Sequence, residues 1–499
     1  MPVLGWDEET GKGVELTAKA RRQGVYVIGT TGTGKTTLLQ NIAYQDMIDP
    51  TRPGLCVLDP HGDFVDELLI RVPDGRQTGQ ADRRDDVILF DPGSQEQQER
   101  PLGLNVLECD RSDGKQVQRV VSTVISTLYK LFAYSWGPRM EDLLRNALHT
   151  LMKAPDTTLL ELQILLRDRA YRQRLVSGLT DPIVKQFWER WFDRLDMRQE
   201  VEIVSSSMNK IGRFLIDPMM RNIVSQPQNA FDMRRIMDEG KILLVNLSKG
   251  DLGEDNSSLL GSVLVNLILI AALTRRDIAP EKRRPFHLIV DEYQSFATES
   301  FPTLQSEARK YGITIMVAHQ YRDQLDELNQ GSTLNVTNFI VMRVSGKDSF
   351  ELASQFDNTP PPAEIRKEPE YQIHSHDGTG KERYIARRLA SGGGTVYRDV
   401  EQPRRPFNDV QVEKANQLSN LPDHHALCRI GVDGRLVEYA IKTLEPMGQP
   451  NAQTAEYIRK RSLERGAPRD QVEADIDRRL GNDAGEVSGY WEEEWEGGA

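Results

Sequence analysis

Gly29-Thr30-Thr31-Gly32-Thr33-Gly34-Lys35-Thr36 fills every fixed position of the pattern G-x-x-x-x-G-K-[ST]. An apolar run, Val25-Tyr26-Val27-Ile28, comes before it, and a helical pattern, Thr37-Leu38-Leu39-Gln40-Asn41-Ile42-Ala43, comes after. The order strand, loop, helix is what a phosphate-binding loop requires. Glycines at 29, 32 and 34 let the backbone turn its N–H groups toward a phosphate chain, while the following helix presents its positive end to the same anion. Lys35 is expected to reach the β and γ phosphates, and Thr36 to hold Mg²⁺ through its hydroxyl. The expected nucleotide-contacting set is therefore Gly29, Thr30, Thr31, Gly32, Thr33, Gly34, Lys35, Thr36 and Thr37, with ATP and Mg²⁺ as cofactors.

The chain of 499 residues, with 38% apolar and 28% charged residues, has room for several domains and a sizeable core. Its three cysteines, Cys56, Cys109 and Cys428, lack metal-ligand spacing and read as reduced thiols. There is no charged-then-apolar leader, and the longest apolar segment, 263–273, is broken by Asn266 and falls short of the ~20 residues that cross a bilayer. A buried helix, no integral membrane segment and a cytoplasmic protein are expected. The net charge is −12, but Glu486, Glu492, Glu493, Glu494 and Glu496 near the end account for five of it, leaving −7. Because a DNA channel acts through local field, composition neither supports nor excludes DNA.

Along the chain, residues 1–112 alternate strands and helices, which implies a parallel sheet with functional groups at its carboxyl edge. The run Leu55-Cys56-Val57-Leu58 ends in Asp59-Pro60-His61-Gly62-Asp63. There His61 and Asp63 either touch a nucleotide or neighbour, or simply make a helix-capping turn. Residues 113–235 show only helical stripes, such as Val117, Val120, Val121, Val124, Ile125 and Leu128, and predict an all-helical insertion of four to six helices. Trp188 and Trp191 within it read as core ahead of a base-stacking surface.

The α/β pattern resumes over 236–360. Phe286-His287-Leu288-Ile289-Val290 leads into Asp291-Glu292, where Asp291 is expected to orient Mg²⁺ and Glu292 to polarise the attacking water. The strand 313–318 ends in His319-Gln320, placing Gln320 where it can sense the γ-phosphate. Residues 361–450, containing a hairpin across Asp433-Gly434, read as a C-terminal extension, and 451–499 as charged helices with an acidic, aromatic tail.

Together the GTTGTGKTT, DPHGDF, WGPRMEDLLRNAL, KILLVNLSKGDLG, VDEYQSF and SEARKYGITIMVAHQ segments resemble the HerA/FtsK superfamily of P-loop ATPases, and within it the TraG/TraD coupling proteins and their soluble relatives. The resemblance covers about residues 15–355. It implies a RecA-like α/β motor with an inserted all-α domain and a small C-terminal α+β extension, a homo-hexameric ring, nucleotide between subunits, and double-stranded DNA in the pore. It further implies Lys35 and Thr36 as the Walker A pair, Asp291 and Glu292 as the Walker B pair, and Gln320 as sensor. Arg343 is the expected trans arginine with Arg309 its rival, and Lys249 the expected DNA contact. Membrane-anchored coupling proteins begin with transmembrane helices, whereas this chain reaches its P-loop within thirty residues, so a cytoplasmic DNA translocase is expected. The alternative is a nucleotide-gated scaffold that assembles a partner protein, such as a nuclease, through its C-terminal region.

Overall fold

The computed structural model describes residues 1–75, 82–297, 301–360, 365–376, 382–386, 395–401 and 406–481. The glycine run 392–394 and the tail 490–496 lie outside them. The chain forms two units, Met1–Met342 with Asp423–Ala499, and Arg343–Pro422.

In chain order the strands are β1 (Val3–Asp7), β2 (Gly13–Glu15), β3 (Val25–Ile28), β4 (Gly54–Asp59), β5 (Val87–Phe90), β6 (Ile242–Asn246), β7 (Phe286–Val290), β8 (Ile313–His319) and β9 (Asn338–Val341). They continue as β10 (Ile365–Pro369), β11 (Tyr371–His376), β12 (Glu382–Ala386), β13 (Tyr397–Glu401), β14 (His425–Val432) and β15 (Arg435–Thr443). Eleven of these build one sheet of order β2-β1-β15-β14-β9-β3-β8-β7-β4-β6-β5. From β9 to β5 all pairings are parallel. That run matches the strands' composition: β3, β4, β5 and β6 are buried at every residue, as strands covered on both faces must be. The P-loop strand β3 and the Asp291 strand β7 are not neighbours, because β8 lies between them. All three end at the same edge of the sheet.

The hairpin read from sequence into an extension over 361–450 belongs to the central sheet. β14 pairs antiparallel with β9, placing Cys428 opposite Ile340, and β15 pairs with β1. Ala426, Leu427, Cys428 and Ile430 of β14 are all buried, more apolar surface than an isolated two-stranded hairpin can cover. The short β1 and β2, which the sequence did not announce, complete this antiparallel flank.

The helix Glu254–Thr274 is apolar on every side and sits in the core, packed against Gly114–Phe132 and Met233–Glu239. Its length and composition would suffice for a membrane span, but it is almost wholly buried in protein. Gly261 allows the close approach of Phe296, whose ring lies 2.1 Å from where a Cβ would be.

Between residues 113 and 235 the described structure is helical, with seven α-helices lying wholly inside that range rather than four to six and an eighth, Met233–Glu239, starting at its end. Asp113, Thr158, Asp168, Asp181, Asp196, Asp217 and Asp232 each accept a backbone N–H as an N-cap, cutting the apolar stripes into shorter pieces. Trp188 is buried and donates its indole N–H to Thr150 Oγ1 at 2.8 Å, a core role.

The helices Ala452–Leu463 and Arg469–Leu480 return onto the first unit. The former covers the edge strand β5, where Ser462 Oγ accepts the Leu89 N–H at 2.9 Å. The latter sets Val472 and Ile476 against Leu160, with Arg479 paired to Glu161 at 2.9 Å.

In the second unit, the helices Gly346–Ala353 and Phe407–Ser419 pack together, and β10–β13 and β11–β12 form two antiparallel pairs.

Because β14 is part of the core, Ile430→Ala is expected to weaken the main unfolding transition by about 2–5 kcal/mol. Urea denaturation followed by tryptophan fluorescence reads this, and a main transition unmoved by the substitution would show the hairpin to be an independent appendage.

Candidate functional site

A cleft of about 480 Å³ opens at the carboxyl ends of β3, β7, β4 and β8. Its lining includes Thr31, Gly32, Gly34, Lys35, Thr36 and Thr37 from the loop and following helix, and Asp291, Glu292 and Gln320 from two other strand ends. Gly29, Thr30 and Thr33 shape the loop from behind, with Thr33 Oγ1 donating to Thr30 O at 2.7 Å. Gly32 and Gly34 have φ of +81° and +99°, values that a side chain would oppose. The helix Lys35–Ile48 begins at Gly34 with no side-chain cap, so its first N–H groups are left to an external acceptor.

Lys35 is buried and its Nζ folds back to donate to Gly29 O at 2.6 Å and Thr30 O at 3.2 Å. Burial holds the amine below the usual lysine range, against the opposing pull of Glu292 and Asp291.

Asp291, anchored by its N–H to Leu58 O at 3.1 Å, is buried at the end of β7. Burial, then Glu292 and Asp59, push its carboxyl up to about 7. Asp59, at the end of β4, accepts the N–H groups of His61 at 2.8 Å and Val65 at 3.1 Å. Burial still raises its carboxyl, with those N–H groups working against the rise. Carboxylates crowded in a buried site are stabilised by a cation, and hard oxygen donors such as carboxylates and the Thr36 hydroxyl are of the type Mg²⁺ prefers.

Glu292 occupies the left-handed region at φ +43°, ψ +54°, a conformation costing on the order of 1–3 kcal/mol for a non-glycine residue. Its Oε1 accepts Gln320 Nε2 at 2.9 Å, while Gln320 Oε1 accepts the Thr31 hydroxyl at 2.9 Å. Gln320 thus links the P-loop to the carboxylate. This linkage is possible because β8, which carries Gln320, runs between the other two strands.

Lys35, Thr36, Asp291, Glu292 and Gln320 are therefore brought together. Other expected site residues are elsewhere. Arg309 is exposed before the start of β8, at the opposite end of that strand from Gln320, and its side chain has no ion pair or hydrogen bond among the described residues. Arg343 lies in the second unit, where its guanidinium donates to Leu421 O at 3.3 Å. Lys249 follows β6, pairs with Glu254 at 3.6 Å and does not line the cleft.

His61 and Asp63 both line the cleft, with His61 Nε2 4.0 Å from Glu292 Oε1. The helix there is capped at Gly62, not by the Asp63 side chain.

His424 is a cleft residue that the sequence reading missed. It arrives just before β14, donates its N–H to Thr33 O at 2.9 Å and has φ +62°. Its Nδ1 would stand 2.6 Å from a Cβ on Gly34. Nothing local in Asp423-His424-His425 signals contact with a loop almost four hundred residues earlier.

The charge crowding has a measurable consequence. A carboxyl whose folded pKa is raised from 3.8 to about 7 favours the fold below the lower value and loses that contribution as pH rises through the higher one. Asp291→Asn is therefore expected to raise the melting temperature of the ligand-free protein at pH 8, and to raise it less at pH 5. A gain equal at both pH values would contradict the raised carboxyl.

Residues 10–347 match a family model described as the type IV secretion-system coupling protein DNA-binding domain. Among solved structures, the chain is similar to the bacterial conjugative coupling protein TrwBdeltaN70 in its unbound monoclinic form, at 17% identity and a TM-score of 0.56, covering 91% of each chain. It is similar to plasmid coupling protein TrwB in complex with ADP and Mg²⁺, at 17% identity and a TM-score of 0.54, covering 87% of this chain and 88% of that one. VirB4 of Thermoanaerobacter pseudethanolicus is similar at 13% identity and a TM-score of 0.51, covering 89% and 96%. At these identities the structural likenesses establish the RecA-like motor fold. A search of curated proteins finds no match. On the extent of the family match, the chain belongs to the type IV coupling-protein DNA-binding domain family.

Proposed function

We propose that this coupling-protein family member is an ATP-driven motor that hydrolyses Mg²⁺-ATP between the subunits of a hexameric ring and moves double-stranded DNA through its pore. The observation that carries the reading is the convergence of Lys35, Thr36, Asp291, Glu292 and Gln320 on one cleft. The DNA-binding domain description of the family and the nucleotide and Mg²⁺ named with the TrwB structure support substrate and cofactor.

The side chains divide the work. Lys35 gives up its loop carbonyls to neutralise the β and γ phosphates, and the loop N–H groups hold the rest of the chain. Thr36 and Asp291 would hold Mg²⁺, which when bound supplies positive charge against the phosphate oxygens. Glu292 accepts the proton of the attacking water, and Gln320, already bonded to Glu292, orients that water against the γ-phosphate.

A second subunit supplies the arginine. Of the two candidates Arg309 is favoured, because it is exposed and uncommitted while Arg343 is held at Leu421 O. An arginine at the end of β8 remote from Gln320 is poorly placed for its own cleft and available to a neighbour's. Lys249, half-buried at the sheet's carboxyl edge, is the proposed contact to DNA phosphates, with Glu254 as the partner it would leave.

In a steady-state assay, Glu292→Gln should lose at least about a hundredfold in ATP turnover while still binding ATP. Arg309→Ala should fall by ~10³-fold, as loss of a trans arginine does. Double-stranded DNA should stimulate the wild type, and stimulation should weaken in Lys249→Ala. Full turnover in Glu292→Gln would remove it as the base, and absence of any DNA effect at low salt would argue for the scaffold reading.

A further inference from the structure

Both carboxylate oxygens of Glu292 are held by carboxamides. Gln320 takes Oε1, and Gln294 donates its Nε2 to Oε2 at 2.6 Å. Gln294 lies two residues further along, in the single turn Tyr293–Ser295, and its own Oε1 is buried with no hydrogen-bond partner among the described residues. A carboxamide with one polar partner is placed by the backbone that carries it, because no second side-chain bond fixes its direction.

That backbone is held from the helical insertion. Lys130 Nζ donates to Gln294 O at 3.0 Å and to Ser295 O at 3.1 Å. Lys130 stands in the last turn of Gly114–Phe132, the insertion's first helix. The body of this helix is fixed on the core helix Glu254–Thr274, where Thr123 Oγ1 meets Asn266 Oδ1 at 2.9 Å. Among the described residues the chain of contacts is continuous from that helix through Lys130, the 294–295 carbonyls, the Gln294 side chain and Glu292 to Gln320 and Thr31.

The left-handed backbone of Glu292 makes such support necessary, since strained conformations persist only where their surroundings over-determine them. The Lys130 side chain is exposed overall, and its hold on the turn rests on its two hydrogen bonds to the 294 and 295 carbonyls.

We propose that Gln294 is a positioning residue for Glu292 and that Lys130 sets its placement, so that the first helix of the insertion governs how the catalytic carboxylate is presented to water. This rests on the reading of Glu292 as the base. With Oε2 fixed by Gln294, Oε1 is the oxygen left for water once Gln320 turns to phosphate. A merely structural tether would support folding and nucleotide binding but would not act selectively on the chemical step.

The test uses the full chain with Gln294→Ala, Lys130→Met, Lys130→Arg and the Gln294→Ala/Lys130→Met double variant, measuring kcat, KM for ATP, affinity for a non-hydrolysed ATP analogue, and thermal melting. Gln294→Ala and Lys130→Met should each lose at least tenfold in kcat, with KM and analogue affinity within twofold of wild type. Lys130→Arg, which keeps donors for the two carbonyls, should recover most of the rate, and the double variant should be no slower than Gln294→Ala. Wild-type kcat in either single variant, joint loss of rate and analogue binding, or no recovery by arginine would overturn the proposal while an active wild type left the ATPase reading standing. A wild type that hydrolyses no ATP overturns both.

Discussion

Crowded charge at the carboxyl edge of a buried parallel sheet is the constraint on which the rest of the structure depends. Asp59, Asp291 and Glu292 stand around Lys35 at strand ends where water is scarce, and the result is a raised carboxyl at Asp291 and a depressed amine at Lys35. Isolated ions in such a place are costly, and the cost falls when partners of opposite sign arrive. A polyanion carrying a divalent cation offers the complementary pair, phosphate for Lys35 and metal for the carboxylates. The ligand-free cleft is electrostatically incomplete, and this biases it toward that one chemistry.

The sheet order turns this local frustration into a working geometry. Placing β8 between β3 and β7 inserts Gln320 between the P-loop and the Walker B carboxylate, where one carboxamide bonds to both sides. Thr31 and Glu292 are thereby joined through a single residue. Gln294 and Lys130 extend the same line into the helical insertion, which joins the insertion's first helix to the Glu292 carboxylate by one set of contacts. The insertion is fixed to the core rather than hung from it, since its first helix packs along the buried helix Glu254–Thr274.

What the sequence disclosed and what it withheld follow from the range of the interactions. The P-loop was legible because glycine spacing, Lys35 and Thr36 lie within eight residues, and the placement of Asp291 and Gln320 at the cleft because apolar strands end in polar groups. The helical insertion was legible in its stripes, though its helix number depended on caps such as Thr158 and Asp196, which periodicity does not weigh. The hairpin's home was not legible: β14 reads the same whether it pairs with β9 or stands in an extension, and only the total apolar area to be covered decides. His424 was hidden for the same reason, its contact with Thr33 and Gly34 being set by the sheet rather than by neighbours in sequence. Gln294 sat in plain view beside Glu292, but its importance lies in an orphaned oxygen and a lysine from another segment.

The central claim is that the cleft in one chain is half of an ATPase site and that an arginine from a second chain completes it. The most direct measurement is the ATP turnover rate per chain across protein concentration, with the mass of the assembly determined in the same samples. The account predicts a rate near zero where the chain is monomeric, rising together with the six-subunit species. An equal rate per chain at every concentration, monomer included, would contradict it.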